Sequence, residues 1–239
     1  MKTALVALLL SAAAHAAELP PGADIYILGE LHDNPAHHVQ QAEWVSTLSP
    51  AAVAFEMLTP SQAALITPYT ARDADTLGPL LAWEDSGWPS IEMYAPVMSA
   101  SDAVIVGVAG DPPDLTAYDL DIPLSEEEQA TRQALQQDVH CGMLPDDILP
   151  GFVARQREKD AQFAELTLRA YDQYGGPVVL ITGNGHARTD WGVPAAIARV
   201  RPDLRVVSAI QGEGGATPPG DLTVQATAPE RDDPCAVFR

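Results

Sequence analysis

Ile25-Tyr26-Ile27-Leu28-Gly29-Glu30-Leu31-His32-Asp33-Asn34-Pro35 is the stretch that decides the fold of this 239-residue chain. Four consecutive apolar residues, with no polar alternation, read as a strand buried on both faces. Asn34 can accept a hydrogen bond from a following helix amide, and Pro35 suits the first helical position, where no amide is needed. Val39, Ala42, Val45 and Leu48 then recur at helical spacing. A doubly buried strand running at once into a helix is the unit of an α/β protein with a mainly parallel sheet.

The same pattern repeats outward. Residues 52–56, 103–108, 177–182 and 204–210 are further apolar strands, with one edge strand expected near Leu222–Gln225. Thr59-Pro60 repeats the cap-then-proline start, and residues 73–100 read as short helices broken at Gly87-Trp88-Pro89. A proline- and aspartate-rich loop spans 110–124, and Ser125 with Glu128 forms a capping box for the next helix. A long amphipathic helix is expected from about Phe152 to Tyr174, and another near Val193–Val200. The expectation is one α/β domain over 17–239, with helices on both sheet faces and a small helical insertion at 111–150.

Lys2, the apolar run Ala4–Leu10 and Ala14-His15-Ala16 have the order of a cleavable signal peptide over residues 1–16. With no cysteine beside that cleavage point, a free periplasmic protein is expected, with no integral membrane segment in the mature chain. The formal net charge is −20. That excludes nucleic acid and anionic lipid as partners, since both are bound by neutralising phosphate. Cys141 and Cys235 suit a structural disulfide in an oxidising compartment.

Three strands end in polar residues for which a core has no use: Glu30 with His32, Glu56, and the run Gly183-Asn184-Gly185-His186-Ala187-Arg188. Ligands of open α/β sheets bind at the carboxyl ends of strands. Glu30 and His32 stand two apart, so extended backbone points both to one side. Glu30, His32, Glu56 and His186 are therefore the expected site, either as ligands of a divalent metal or as acid-base catalysts. His37 shares a helix face with Gln41 and Trp44 and could also meet the crevice, where Arg188 could hold a carboxylate.

Gly29-Glu30-Leu31-His32-Asp33-Asn34-Pro35-Ala36-His37-His38 and the 183–188 run together resemble the ChaN-like haem-binding uptake family of the Tiki superfamily. Phe55-Glu56-Met57, Ser86-Gly87-Trp88-Pro89 with Tyr94, Arg155-Gln156 with Asp160, and Trp191-Gly192-Val193-Pro194 fit as well, so the resemblance spans roughly residues 24–210. It implies haem as the cofactor and partner, a role in haem or iron uptake, and a homodimer formed around two facing haems. It further implies a tyrosine on the iron and histidine or lysine at the propionates. Tyr94 is the first candidate ligand, with Tyr69, Tyr118 and Tyr171 behind it. His140 is another candidate ligand, with a structural role as its alternative, and His37, Arg188 and Lys159 are candidate partners. The wider superfamily implies a rival: a peptidase- or esterase-like hydrolase in which Glu30, His32, Glu56 and His186 bind a metal or activate water.

Overall fold

The computed structural model describes residues 17–233 and 235–236; the expected signal peptide at 1–16 lies outside them. Six strands form one wholly parallel sheet: β1 (Ile25–Glu30), β2 (Ala52–Phe55), β3 (Val104–Gly107), β4 (Val178–Gly183), β5 (Val206–Gly212) and β6 (Leu222–Gln225). Their order is β3-β2-β4-β1-β5-β6. The chain steps outward from β1 to β2 and β3. It then returns to insert β4 between β1 and β2, so the late strand lies beside the earliest two.

Alternation along the strands explains the two-sided burial. Tyr26, Leu28, Val53 and Phe55 face a core closed by α1 (Pro35–Leu48), α2 (Pro60–Ala63), α3 (Ala74–Leu81) and α4 (Ile91–Ser99). Ile25, Ile27, Ala52, Ala54 and Leu180 face the other core, packed under α6 (Leu149–Tyr174) and α8 (Val193–Val200). This is the period-2 pattern of a strand with a core on each side.

The expected caps form. Asn34 accepts from Ala36 N at 2.9 Å with Pro35 at the first helical position, and Ser125 and Glu128 complete the capping box of α5 (Glu126–Val139). The long helix begins three residues earlier than expected, at Leu149. The glycine-rich run after β4 is a short helix, α7 (Asn184–Ala187), and not a loop. Its Asn184 Nδ2 donates to the Gln211 carbonyl at 2.7 Å, which ties this turn to β5.

Cys141 and Cys235 are bridged, with Cα atoms 5.6 Å apart. The bond closes a 94-residue separation and fastens the turn after α5 to the C-terminal segment. Among the described residues, no helix is long and apolar enough to cross a membrane.

Candidate functional site

Register brings the polar strand ends together. Glu30 at the end of β1 is level with Gly183 at the end of β4. Glu56, just past β2, donates its backbone N–H to the Ile181 carbonyl at 3.1 Å and so lies beside Thr182. The Glu56 Oε2 atom accepts from the Thr182 hydroxyl at 2.6 Å and from Gly183 N at 2.8 Å. Buried carboxylates need such donors. Burial by itself would raise the Glu56 carboxyl; His186, His32 and these two hydrogen bonds outweigh it and hold Glu56 below the ordinary range.

Glu30 is the floor of the site. Its Oε1 accepts from His32 Nδ1 at 2.8 Å and from the Tyr94 hydroxyl at 3.0 Å, while His38 Nδ1 stands 3.5 Å from Oε2. His32 keeps 31% of its side chain exposed, with Trp88 set edge-on at 4.9 Å. Burial disfavours its cation, yet the Glu30 hydrogen bond and charge prevail and raise its pKa. A Cβ on Gly183 would lie 2.9 Å from His32 Nε2 and 3.8 Å from Glu56 Oε2. Glycine at that point leaves room for the His32 ring beside the end of β4.

His186 approaches from the other side. Its Nδ1 is 2.6 Å from Asp160 Oδ1 on α6, with the Gln156 amide 3.0 Å from the same atom, and its Nε2 is 3.6 Å from Glu56 Oε1. Phe163 packs on the ring at 4.9 Å. Burial opposes its charge, but Asp160 and Glu56 win and its pKa rises. Burial in turn pushes the Asp160 carboxyl up to about 6. The structure thus gathers Glu30, His32, Glu56 and His186 at one crest, as two carboxylate-oriented imidazoles about a third carboxylate. Asp160, which the sequence offers only as part of the family pattern with Arg155-Gln156 and without a role in the site, is the group that orients His186. The arrangement can hold and pass protons near neutral pH.

Among the described residues no group of three or more His, Cys, Asp or Glu is arranged to hold a metal ion. The reason is visible in the hydrogen bonds. Glu30 is committed to His32 and Tyr94, Glu56 to Thr182 and Gly183, and His186 to Asp160. The expectation of a divalent-metal site finds no support in this geometry.

The candidate haem contacts separate. Tyr94 is turned inward, not outward: its ring has 0% exposure, lies against His38 and Trp83, and its hydroxyl donates to Glu30. Burial and the Glu30 charge push its phenol strongly up. An iron ligand needs an oxygen open to the porphyrin, and this one is closed in. Tyr118 is buried and donates to Glu165, and Tyr171 donates to Asp24; Tyr69 stays exposed. His37 is buried too, with Nδ1 accepting from Leu31 N at 3.0 Å and Nε2 3.4 Å from the Gly212 carbonyl. Desolvation lowers its pKa, so it is a neutral strut between β1 and β5 and does not face the crevice. Arg188 is held bidentately by Asp190 and stacks 3.4 Å above the centre of the Trp191 ring. Lys159 lies 5.8 Å from the Phe163 ring.

His140 sits, together with Arg188, on the wall of a groove of about 610 Å³ between α5, α6 and the turns after β4 and β5. Leu31, Leu135, Val139, Val153 and Trp191 give this groove apolar walls. Arg132 also lines it, 4.9 Å from the centre of the Trp191 ring, and its Nε is buried without a hydrogen-bond partner among the described residues. Sequence reading missed Arg132, because an arginine four residues after Glu128 looks like a surface helix pair. Gln156, Asn184 and Gly185 belong to the same wall, so the groove opens directly beside the crest.

A family model described as haem-binding uptake, Tiki superfamily, ChaN, matches residues 17–114 and 111–197. Among solved structures, that of cofacial haem binding to ChaN of Campylobacter jejuni is similar, with 22% identity, 84% of this chain and 86% of that chain covered, and a TM-score of 0.65. The type III effector HopBA1 is similar at 12% identity, with 85% and 88% covered and a TM-score of 0.50. At such identities both speak to the fold alone. No curated protein matches the sequence.

Proposed function

This chain belongs to the haem-binding uptake family of the Tiki superfamily, ChaN type, and from that premise we propose that it binds haem in the groove beside the crest. The observation that carries the reading is the pairing of apolar walls with Arg132, a half-buried cation whose guanidinium lies 3.9 Å from Glu128 while its Nε has no hydrogen-bond partner among the described residues. A porphyrin needs apolar surface on its faces and a cation at its carboxylates, and Arg132 Nε lacks a partner among the described residues while lining that groove. In a chain of net charge −20 such a group is out of keeping with the general surface. Bound haem would supply an iron centre with open axial positions; the chain supplies the walls, the propionate partner and a crest that holds protons nearby.

The reading includes export to the periplasm through residues 1–16 and a role in haem or iron uptake. Pairing of two chains around haem also belongs to it, supported by the exposed apolar residues Leu135, Val139 and Met143 around the end of α5. Titration of the purified chain with hemin tests it. Saturable, stoichiometric growth of a Soret band is expected, and a linear, unsaturated response would reject it.

A second reading is kept alive by one observation: His32 and His186 are each oriented by a carboxylate, Glu30 and Asp160, at 2.8 and 2.6 Å. A base held in one orientation by a carboxylate is how water or a hydroxyl is activated in hydrolases without metal. Under this reading small ester and peptide substrates would be cleaved, and His186→Ala would abolish cleavage. Equal turnover in wild type and variant would remove it.

A further inference from the structure

We propose that His140 is an axial ligand for the iron of a haem seated in this groove, an assignment that rests on the haem reading above and sharpens it. Leu135, Gln136, Val139 and His140 all belong to the groove wall, and their spacing puts them on adjoining positions of one helix face. The last turn of α5 is therefore presented to the groove as a unit. Among the described residues His140 is the only imidazole in that wall.

Its two ring nitrogens are in different states. Nδ1 lies 2.7 Å from the Gln136 carbonyl, an atom that can only accept, so Nδ1 carries the proton. Nε2 is then the atom with the free lone pair, and among the described residues no hydrogen bond engages it. A backbone carbonyl on the far nitrogen is the arrangement that fixes tautomer and ring plane in metal-ligating histidines. The ring is steadied by Phe152, edge-on at 5.2 Å, and by the next residue, Cys141, whose disulfide to Cys235 fastens this turn.

The other described imidazoles are placed differently. His37 uses both nitrogens on backbone groups, His38 gives Nε2 to the His32 carbonyl, and His186 is closed between Asp160 and Glu56. His32 has the open Nε2, but that atom faces Gly183 and Glu56 across the crest and the ring is not part of the groove wall. Tyr94 has no open oxygen.

The test is hemin titration with electron paramagnetic resonance and resonance Raman spectra of the ferric complex, for wild type, His140→Ala, His140→Met and His32→Ala. Wild type should show histidine ligation. His140→Ala should lose that signature and bind hemin more weakly by at least the roughly 10- to 100-fold that loss of a ligand's outer partner costs. Millimolar imidazole should restore the spectrum. His140→Met, which keeps bulk in the turn should the alanine fail to fold, should show a thioether-type spectrum. Unchanged spectra and affinity in both His140 variants would overturn the assignment while the haem reading stands. Loss of the signature in His32→Ala alone would transfer the ligand to the crest and equally overturn it. Absence of saturable binding by wild type would remove ligand and haem reading together.

Discussion

The imidazole of His186 and the carboxylate of Asp160, 26 residues apart in the chain, meet at 2.6 Å between the turn after β4 and the middle of α6. Asp160 is buried, its Oδ2 has no hydrogen-bond partner among the described residues, and burial drives its proton affinity up. Pairing with His186 is what makes a carboxylate tolerable there. Replacement Asp160→Asn keeps the shape and removes the charge. The His186 ring should then titrate lower, because the Asp160 charge that favours its cation is gone, as read by NMR of its ring protons. An unmoved midpoint would show that the pair carries no electrostatic weight.

Tyr94→Phe separates a supporting role from iron ligation. The substitution removes one donor from buried Glu30 and leaves the packing against His38 and Trp83 intact. A hydrogen bond to a charged group is worth about 1.5–3 kcal/mol, and urea unfolding should show a loss of that size. The Soret band of the hemin complex should stay where it is. A displaced band would return Tyr94 to the iron.

The histidines should titrate in a fixed order, because His37 is held neutral while His32 and His186 are held charged. All three start from an ordinary value of 6.5. For His37 the folded value is depressed, so its contribution to stability is present above pH 6.5 and is lost as pH falls from there through the folded value. For His32 and His186 the sign reverses: their contribution is intact below pH 6.5 and fades as pH rises through their raised values. Ring resonances followed from acid to neutral pH should show His37 deprotonating first. His37 titrating above either of the others would contradict the burial argument.

Gly183→Ala should disturb the crest without unravelling the sheet. A methyl group there would press on His32 Nε2 at 2.9 Å, and a ring can swing where backbone could not. Overpacking of this kind costs about 1–3 kcal/mol. Displaced from Glu30, the His32 ring should titrate closer to its ordinary value, and that shift, seen by NMR in a still-folded protein, is the outcome to look for.

Loss of the Cys141–Cys235 bond releases both the C-terminal segment and the turn that carries His140. The paired replacement with serine should lower stability by about 2–5 kcal/mol, measured by denaturant unfolding. A midpoint equal to that of the oxidised wild type would mean the bridge constrains little.

How much of this was legible beforehand depends on the range of the interaction. Asn34-Pro35 and Ser125 with Glu128 announce their helices because capping is settled within a few residues. The converging strand ends were legible as well, since a polar residue terminating a doubly buried strand has few places to go. Tyr94 and His37 lie away from the groove for one shared reason. Each is a chemically versatile group in a plausible segment, and only packing reveals that its partner is internal: Glu30 for Tyr94, and the Leu31 amide with the Gly212 carbonyl for His37.

By itself, then, the order of residues determined the parallel α/β architecture, the family pattern and the end of the sheet where the site must lie. These follow from periodicity, caps and strand termini, all short-range properties of a chain. Tertiary structure alone decided that β4 sits between β1 and β2, that Asp160 serves His186, that Tyr94 is sealed beneath Glu30, and that His140 faces a groove. Those outcomes depend on which distant surfaces exclude water from one another, and a side chain's partner is chosen only once that exclusion is complete.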